Sequence, residues 1–314
     1  MSTAQRKVWG ETLTELGEKD DRIVVVDGDL ANSTQAAMFA KAHPDRFVEA
    51  GIAEQNMVGM AFGMSTLGFR PWLSSFGVFL TNRALDQVRM LVSQTRAPVR
   101  LAAGYTGLLN GSSGKTHQDI EDLSIMRALP HMTVLAPADA IEAEGMIRWS
   151  ADHDGPVYLR LARDAVEDVF APDHEFVLGR PETLREGTGA VVVSTGVQTS
   201  RTVGSIDALE KDGHSVRHVH LPTIKPLDAD ALWGLLDGAS TIVTVEEHNV
   251  IGGLGDVVAD VLTAHASGAQ LHRIGLEDGW SESAPNDFLL EKYGLSTERV
   301  AARIGELLGV PAAV

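Results

Sequence analysis

The chain has 314 residues, 44% of them hydrophobic and 22% charged, which is the balance of a globular protein long enough for two cores. A formal charge of −17 and a pI near 5.0 argue against non-specific affinity for nucleic acid or an anionic membrane surface. There is no cysteine, which removes disulfides and thiolate metal sites; with no apolar signal core and no run of 18 apolar residues, a cytoplasmic protein is expected.

Residues 4 to 19 read as a helix, and "IVVVD" (23–27) as a buried strand. "RFVEAG" (46–51) leads into a helix at 53–67, and "RPWLSSF" (70–76) into another from about 80 to 95 that ends before Pro98. Then come the strand "VRLAAG" (99–104), a helix near 120–128, the strand "MTVLAP" (132–137), a helix over 138–151 and the strand "PVYLRLAR" (156–163). Val- and Leu-rich strands alternating with helices indicate a doubly wound α/β domain with a parallel or partly mixed sheet. Residues 166–188, with Pro172 and Pro181 and no clear period, read as a linker between a first domain at 1–165 and a second at 189–314. The second unit repeats the rhythm: "AVVVSTG" (190–196), a helix to about 212, "VRHVHL" (216–221), a helix over 228–236, "TIVTVEEH" (241–248), a helix after "GGLGD" and "LHRIGL" (271–276). Ligands of such sheets gather at the carboxyl ends of the strands.

The stretch "VEAGIAEQNMVGMAFGMSTLGFRP" (48–71) is almost wholly small or apolar, apart from Glu54, Gln55 and Asn56 at the start of its helix. An acid in a first helical turn ordinarily complements the dipole. Four other stretches change its reading: "VVVDGDLANST" (24–34), "SSFGVFLTNRALDQVR" (74–89), "GKTHQDIEDLSIMRALPHMTVLAPAD" (114–139) and "GPVYLRLAR" (155–163). In this order, together with "AGIAEQNMVGMAFG" (50–63), they resemble the pyrimidine-binding domain of transketolase. The second unit resembles the transketolase C-terminal domain, so that the likeness covers nearly the whole chain.

The resemblance implies thiamine diphosphate as cofactor. It makes Glu54 catalytic, hydrogen-bonding a ring nitrogen of the aminopyrimidine from an apolar surround, and makes Phe76 and Phe79 the wall on which that ring stacks. It makes His117 the residue that contacts the substrate and passes it a proton. Arg6, Ser33 and Arg163 match the positions that hold a sugar phosphate, to which planar guanidinium groups are suited. Tyr105 stands where the family has a histidine, and Ser113 where it has an aspartate that reads a substrate hydroxyl. A third aromatic of the stacking wall is missing, since Asn82 and Leu85 fill the candidate places. The implied reaction is transfer of a two-carbon ketol unit from a ketose, phosphorylated in the usual family members, to an aldehyde, with altered substrate specificity.

The family's pyrophosphate-binding domain, with its Gly-Asp-Gly loop and downstream Asn for Mg2+, has no counterpart ahead of the first motif. "DGDL" (27–30) imitates that loop, but Leu30 replaces the second glycine and Asn56 falls in a helix, so no metal residues are assigned to this chain. A separate subunit carrying that domain and the Mg2+ is expected, in a two-fold heterotetramer. The glycines of "VEEHNVIGGLGD" (245–256) read as a tight strand-to-helix turn rather than a phosphate cradle, and His248 as structural. Alternatives are the beta subunit of a 2-oxo acid dehydrogenase, a fragment of deoxyxylulose-phosphate synthase, and a non-catalytic partner subunit.

Overall fold

The structure, a computed structural model, describes residues 2–309. Its strands are β1 (Ile23–Asp27), β2 (Phe47–Glu49), β3 (Arg70–Phe76), β4 (Arg100–Gly104), β5 (Thr133–Leu135) and β6 (Val157–Arg160), followed by β7 (Glu182–Arg185), β8 (Val191–Ser194), β9 (Arg217–His220), β10 (Thr223–Lys225), β11 (Thr241–Asn249) and β12 (Gln270–Leu276). The first sheet has the order β10-β5-β6-β4-β3-β1-β2 and is parallel except for β10. The second has the order β12-β11-β8-β9-β7 and is parallel except for β7. Helices cover both, as the continuous apolar strands require: every residue of β1, β4, β6 and β8 is buried.

Two short strands depart from the sequence expectation. β7 lies inside the stretch read as linker, where Glu182, Thr183 and Arg185 pair antiparallel with β9 at a sheet edge. β10, from the second unit, pairs antiparallel with β5 and so extends the first sheet. Neither is long enough to show a period of its own. One apolar cluster accordingly runs from Val26, Leu73, Leu101 and Val134 into Val191, Val219 and Ile242. Helices Asn286–Lys292 and Thr297–Leu307 complete the second unit.

The helix of residues 54–66 is apolar on most sides and starts with Glu54 in its first turn. It ends in a Schellman arrangement, with Gly68 N–H bonded to Ser65 O at 3.1 Å and Phe69 N–H to Met64 O at 3.2 Å. The segment after β3 differs from the regular helix expected over 80–95. It is wound in wide π-helical turns at Phe79–Arg83 and Val88–Ser93, with Ala84 N–H reaching back five residues to Phe79 O at 3.1 Å. Such turns shift the side chains of one face relative to an α-helix and often occur at functional sites.

Candidate active site

Five segments converge at the carboxyl edge of the first sheet: Gly28–Leu30 after β1, Ile52 and Glu54 after β2, Phe76–Arg83 after β3, Tyr105 after β4 and Arg163 after β6. The first three, with Thr116 and His117 from a later loop, line a cavity of about 420 Å3. Its walls are mainly apolar, with Leu30, Ile52, Phe76 and Phe79 contributing, and Glu54 is an acid set into them.

Glu54 is 1% exposed. The apolar surround expected for it is incomplete, however, because Arg83 Nη1 donates to both carboxylate oxygens, at 2.8 and 3.0 Å. The guanidinium lies over the Phe79 ring, 4.5 Å from its centroid. Sequence reasoning passed over Arg83. The available signal was its position four residues after Phe79 on a helical segment, which puts the two side chains on one face.

Phe76 is the last residue of β3 and Phe79 opens the first wide turn, so the two do not share a helix. Their rings are nearly parallel, with centroids 6.0 Å apart. His117 meets both edge-on, at 6.0 and 5.4 Å. Its Nδ1 is engaged with Thr116 Oγ1 at 2.8 Å, while Nε2 has no protein partner among the described residues. The structure therefore gathers Glu54, Phe76, Phe79 and His117 around one cavity.

The residues matched to substrate anchoring form an adjoining cluster. Tyr105 stacks on Phe76 at 4.0 Å, and the guanidinium groups of Arg6 and Arg163 lie 5.5 and 5.6 Å from the centre of its ring. Arg6 bonds Tyr105 Oη at 3.0 Å, Ser33 O at 2.8 Å and Arg163 O at 2.9 Å. Ser33 thus joins the cluster through its carbonyl. Arg163 pairs with Asp164 at 3.2 Å, and Asp164 is held by Asn286 of the second unit at 2.6 Å. Ser113 stands apart on an exposed turn, where its hydroxyl caps Asn110 Oδ1 at 2.8 Å, and it does not line the cavity.

Outside the cavity, Asn56 lies on the exposed face of its helix, and Asp27 spends one carboxylate oxygen on Leu30 N–H at 2.7 Å. The glycine turn of the second unit is filled by the protein itself. Glu246 accepts from Leu254 N–H at 2.7 Å and Gly255 N–H at 2.9 Å, at the start of the helix a phosphate would need. A Cβ on Gly253 would collide with that carboxylate, so the close approach requires glycine. Burial pushes Glu246 up to about 7, and His248 beside it down to about 4.

This architecture is that of an α/β protein with two parallel-dominated sheets and a cavity at the strand ends of the first. The family model for the transketolase pyrimidine-binding domain matches residues 1–168, and that for the transketolase C-terminal domain matches residues 179–300. The chain belongs to the transketolase family. It is 41% identical to a putative transketolase C-terminal section of Methanocaldococcus jannaschii, over 96% of this chain and 95% of that one. It is 33% identical to a 6-deoxy-6-sulfo-D-fructose transketolase subunit of a Clostridium species, over 96% and 94% of the two chains. A solved split-gene transketolase, described as an inactive beta4 tetramer, superposes with a TM-score of 0.88 at 39% identity and covers 99% of each chain. Among the described residues no helix is long and apolar enough to cross a membrane.

Proposed function

We propose that this chain is the pyrimidine-side subunit of a split, thiamine diphosphate-dependent transketolase that moves a two-carbon ketol unit from a ketose to an aldehyde. The observation that carries the reading is the cavity bounded by the Glu54 carboxylate and the Phe76 and Phe79 rings. Its residues fit the cofactor's aminopyrimidine: a flat, planar donor group, the Arg83 guanidinium, already lies on Phe79 and against Glu54. A ring of similar flatness with a nitrogen facing Glu54 would take the same two contacts, with Arg83 moving aside. When bound, thiamine diphosphate supplies the carbon nucleophile and the electron sink for the transferred unit.

The chain's own residues then have separable tasks. Glu54, sheltered from water, holds or shares a proton with the ring nitrogen. Phe76 and Phe79 set the plane of the ring. His117 lines the cavity with Nδ1 engaged by Thr116, which leaves Nε2 as the atom to bond to and move a proton at a substrate oxygen. Arg6 and Arg163 hold an anionic end of the substrate, and Tyr105 shapes that pocket from between them. Ser113 is too exposed to read a hydroxyl unless the assembly covers its turn.

The rim of the cavity favours a partner. Ile52, which lines the cavity just before the helix of residues 54–66, is 73% exposed, and beyond the other end of that helix Leu67 and Phe69 are 77% and 38% exposed. A second subunit carrying the pyrophosphate-binding domain and Mg2+ would cover this side in a two-fold heterotetramer. The test is to mix the purified chain with such a subunit, thiamine diphosphate and Mg2+, and to follow two-carbon transfer from a panel of phosphorylated and sulfonated ketoses. Transfer that needs both chains supports the proposal. Decarboxylation of a 2-oxo acid in its place would assign the chain to the dehydrogenase class.

A further inference from the structure

Behind the Phe76 and Phe79 wall lies an acid that no step of the proposed reaction uses. Asp119 is fully buried and is two residues beyond His117. It touches every segment that shapes this side of the cavity. Its Oδ2 is 2.8 Å from Thr81 Oγ1, in the wide turn that carries Phe79 and Arg83. Its carbonyl accepts from Gly107 N–H at 2.8 Å, just after Tyr105, and its backbone bridges Thr106. Gly77, next to Phe76, packs so closely that a Cβ there would sit 2.6 Å from Thr106 Cγ2 and 2.8 Å from Asp119 Oδ2.

Hydrogen accounting favours the neutral form of the acid. Thr81 Oγ1 has three neighbours: Gly77 O at 3.0 Å, Asp119 Oδ2 at 2.8 Å and Asn82 Nδ2 at 3.2 Å. A hydroxyl offers one hydrogen and two lone pairs. Gly77 O can only accept and the Asn82 amide can only donate here, so an ionised Asp119 would leave two acceptors competing for one hydrogen. A protonated Asp119 satisfies all three contacts: Asp119 and Asn82 donate to Thr81, and Thr81 donates to Gly77. The surroundings agree. Burial, and after it the negative charge of Asp122, push Asp119 well above the usual carboxylate range. The nearby cation Arg160 is already committed to Asp122 at 2.8 Å. Asp119 Oδ1 has no partner among the described residues, a costly position for a carboxylate and a tolerable one for a neutral carbonyl oxygen.

We propose that Asp119 is held as a neutral carboxylic acid and acts as a positioning residue, pinning the wide turn of Phe79 and Arg83 to the loop of His117. Its hydrogen bond sets the distance between the aromatic wall and the histidine edge, and so the width of the slot into which a flat ring must fit. The inference rests on the functional reading only for its kinetic arm, since the protonation state belongs to the chain itself.

The experiment uses both arms. Infrared difference spectra of the isolated chain at pH 7.5, wild type minus Asp119→Asn, should contain a protonated-carboxyl band assignable to Asp119. A difference showing only ionised carboxylate overturns the proposal whether or not the chain is ever shown to be a transketolase. In the assembled enzyme, Asp119→Asn keeps a donor towards Thr81 and should retain kcat and the KM for thiamine diphosphate within about twofold. Asp119→Ala should lower kcat and raise that KM by about tenfold or more, with its pH profile unchanged in shape. If Asp119→Ala does not fold, the Asn variant still decides: a tenfold loss of kcat in Asp119→Asn would show that the negative charge is required. Full activity in a folded Asp119→Ala would equally remove the positioning role.

Discussion

Glu54 and Glu246 are both buried acids beside the first turn of a helix, one in each half of the molecule, yet only Glu54 faces the cavity at the strand ends of the first sheet. Glu246 meets two backbone N–H groups at 2.7 and 2.9 Å and is enclosed by its own turn. Glu54 has a partly exposed guanidinium on one side and a cavity of about 420 Å3 on the other. Burial and helix position are the same in kind; what differs is whether the remaining coordination belongs to fixed backbone or to a side chain that can leave. A buried acid indicates a site when its partner is displaceable.

This contrast yields a graded set of expectations for the proposed assembled enzyme. Glu54→Ala should lower turnover by about 10³-fold, the range of a lost proton-transfer group, with the fold intact by circular dichroism. Phe79→Ala should weaken thiamine diphosphate, read as its apparent KM, by about tenfold through loss of one stacking face. Tyr105→His removes a phenol that bonds Arg6 at 3.0 Å, and should raise kcat/KM for phosphorylated ketoses by about fivefold, one hydrogen bond's worth of released donor. Equal loss of activity from Glu246→Gln and Glu54→Ala would erase the distinction between the two acids. Glu246→Gln should instead leave turnover within about twofold and act on stability.

That last effect has a defined pH signature. Folding raises Glu246 from 4.5 to about 7, so the folded state binds the extra proton between these values. Stability from this group therefore falls as pH rises from about 4.5 towards 7 and is level above it. His218, buried against Ser194 and lowered from 6.5 to about 3, works in the opposite direction: its contribution is lost as pH falls below about 6.5. Urea unfolding at pH 5, 6 and 7 should show the acid-side loss flattened in His218→Gln and steepened in Glu246→Gln.

The main strands could be read from the sequence because they bury nearly every residue, as "IVVVD" does throughout and "RPWLSSF" does after Arg70, and the Glu54 helix because it is almost wholly small or apolar after its first turn. The three residues of β10 could not, since their pairing with β5 depends on where the second unit docks. At the site, Glu54, Phe76, Phe79 and His117 were found through ordered motifs, and they share one cavity. Ser113, named by the same alignment of motifs, lies on an exposed turn away from it. Arg83 and Asp119 escaped for a physical reason. Arg83 had only its four-residue spacing from Phe79 to mark it, and the contact of Asp119 with Thr81 depends on the wide turn at Phe79–Arg83, whose i→i+5 bond leaves no mark in local composition.

The most direct measurement is a structure of this chain assembled with the proposed pyrophosphate-domain subunit, thiamine diphosphate and Mg2+. The account predicts the aminopyrimidine lying against Phe79, with a ring nitrogen within hydrogen-bond distance of Glu54 and Arg83 displaced from that carboxylate. A bound cofactor whose ring lies elsewhere, with Arg83 still clamped to Glu54, would contradict it.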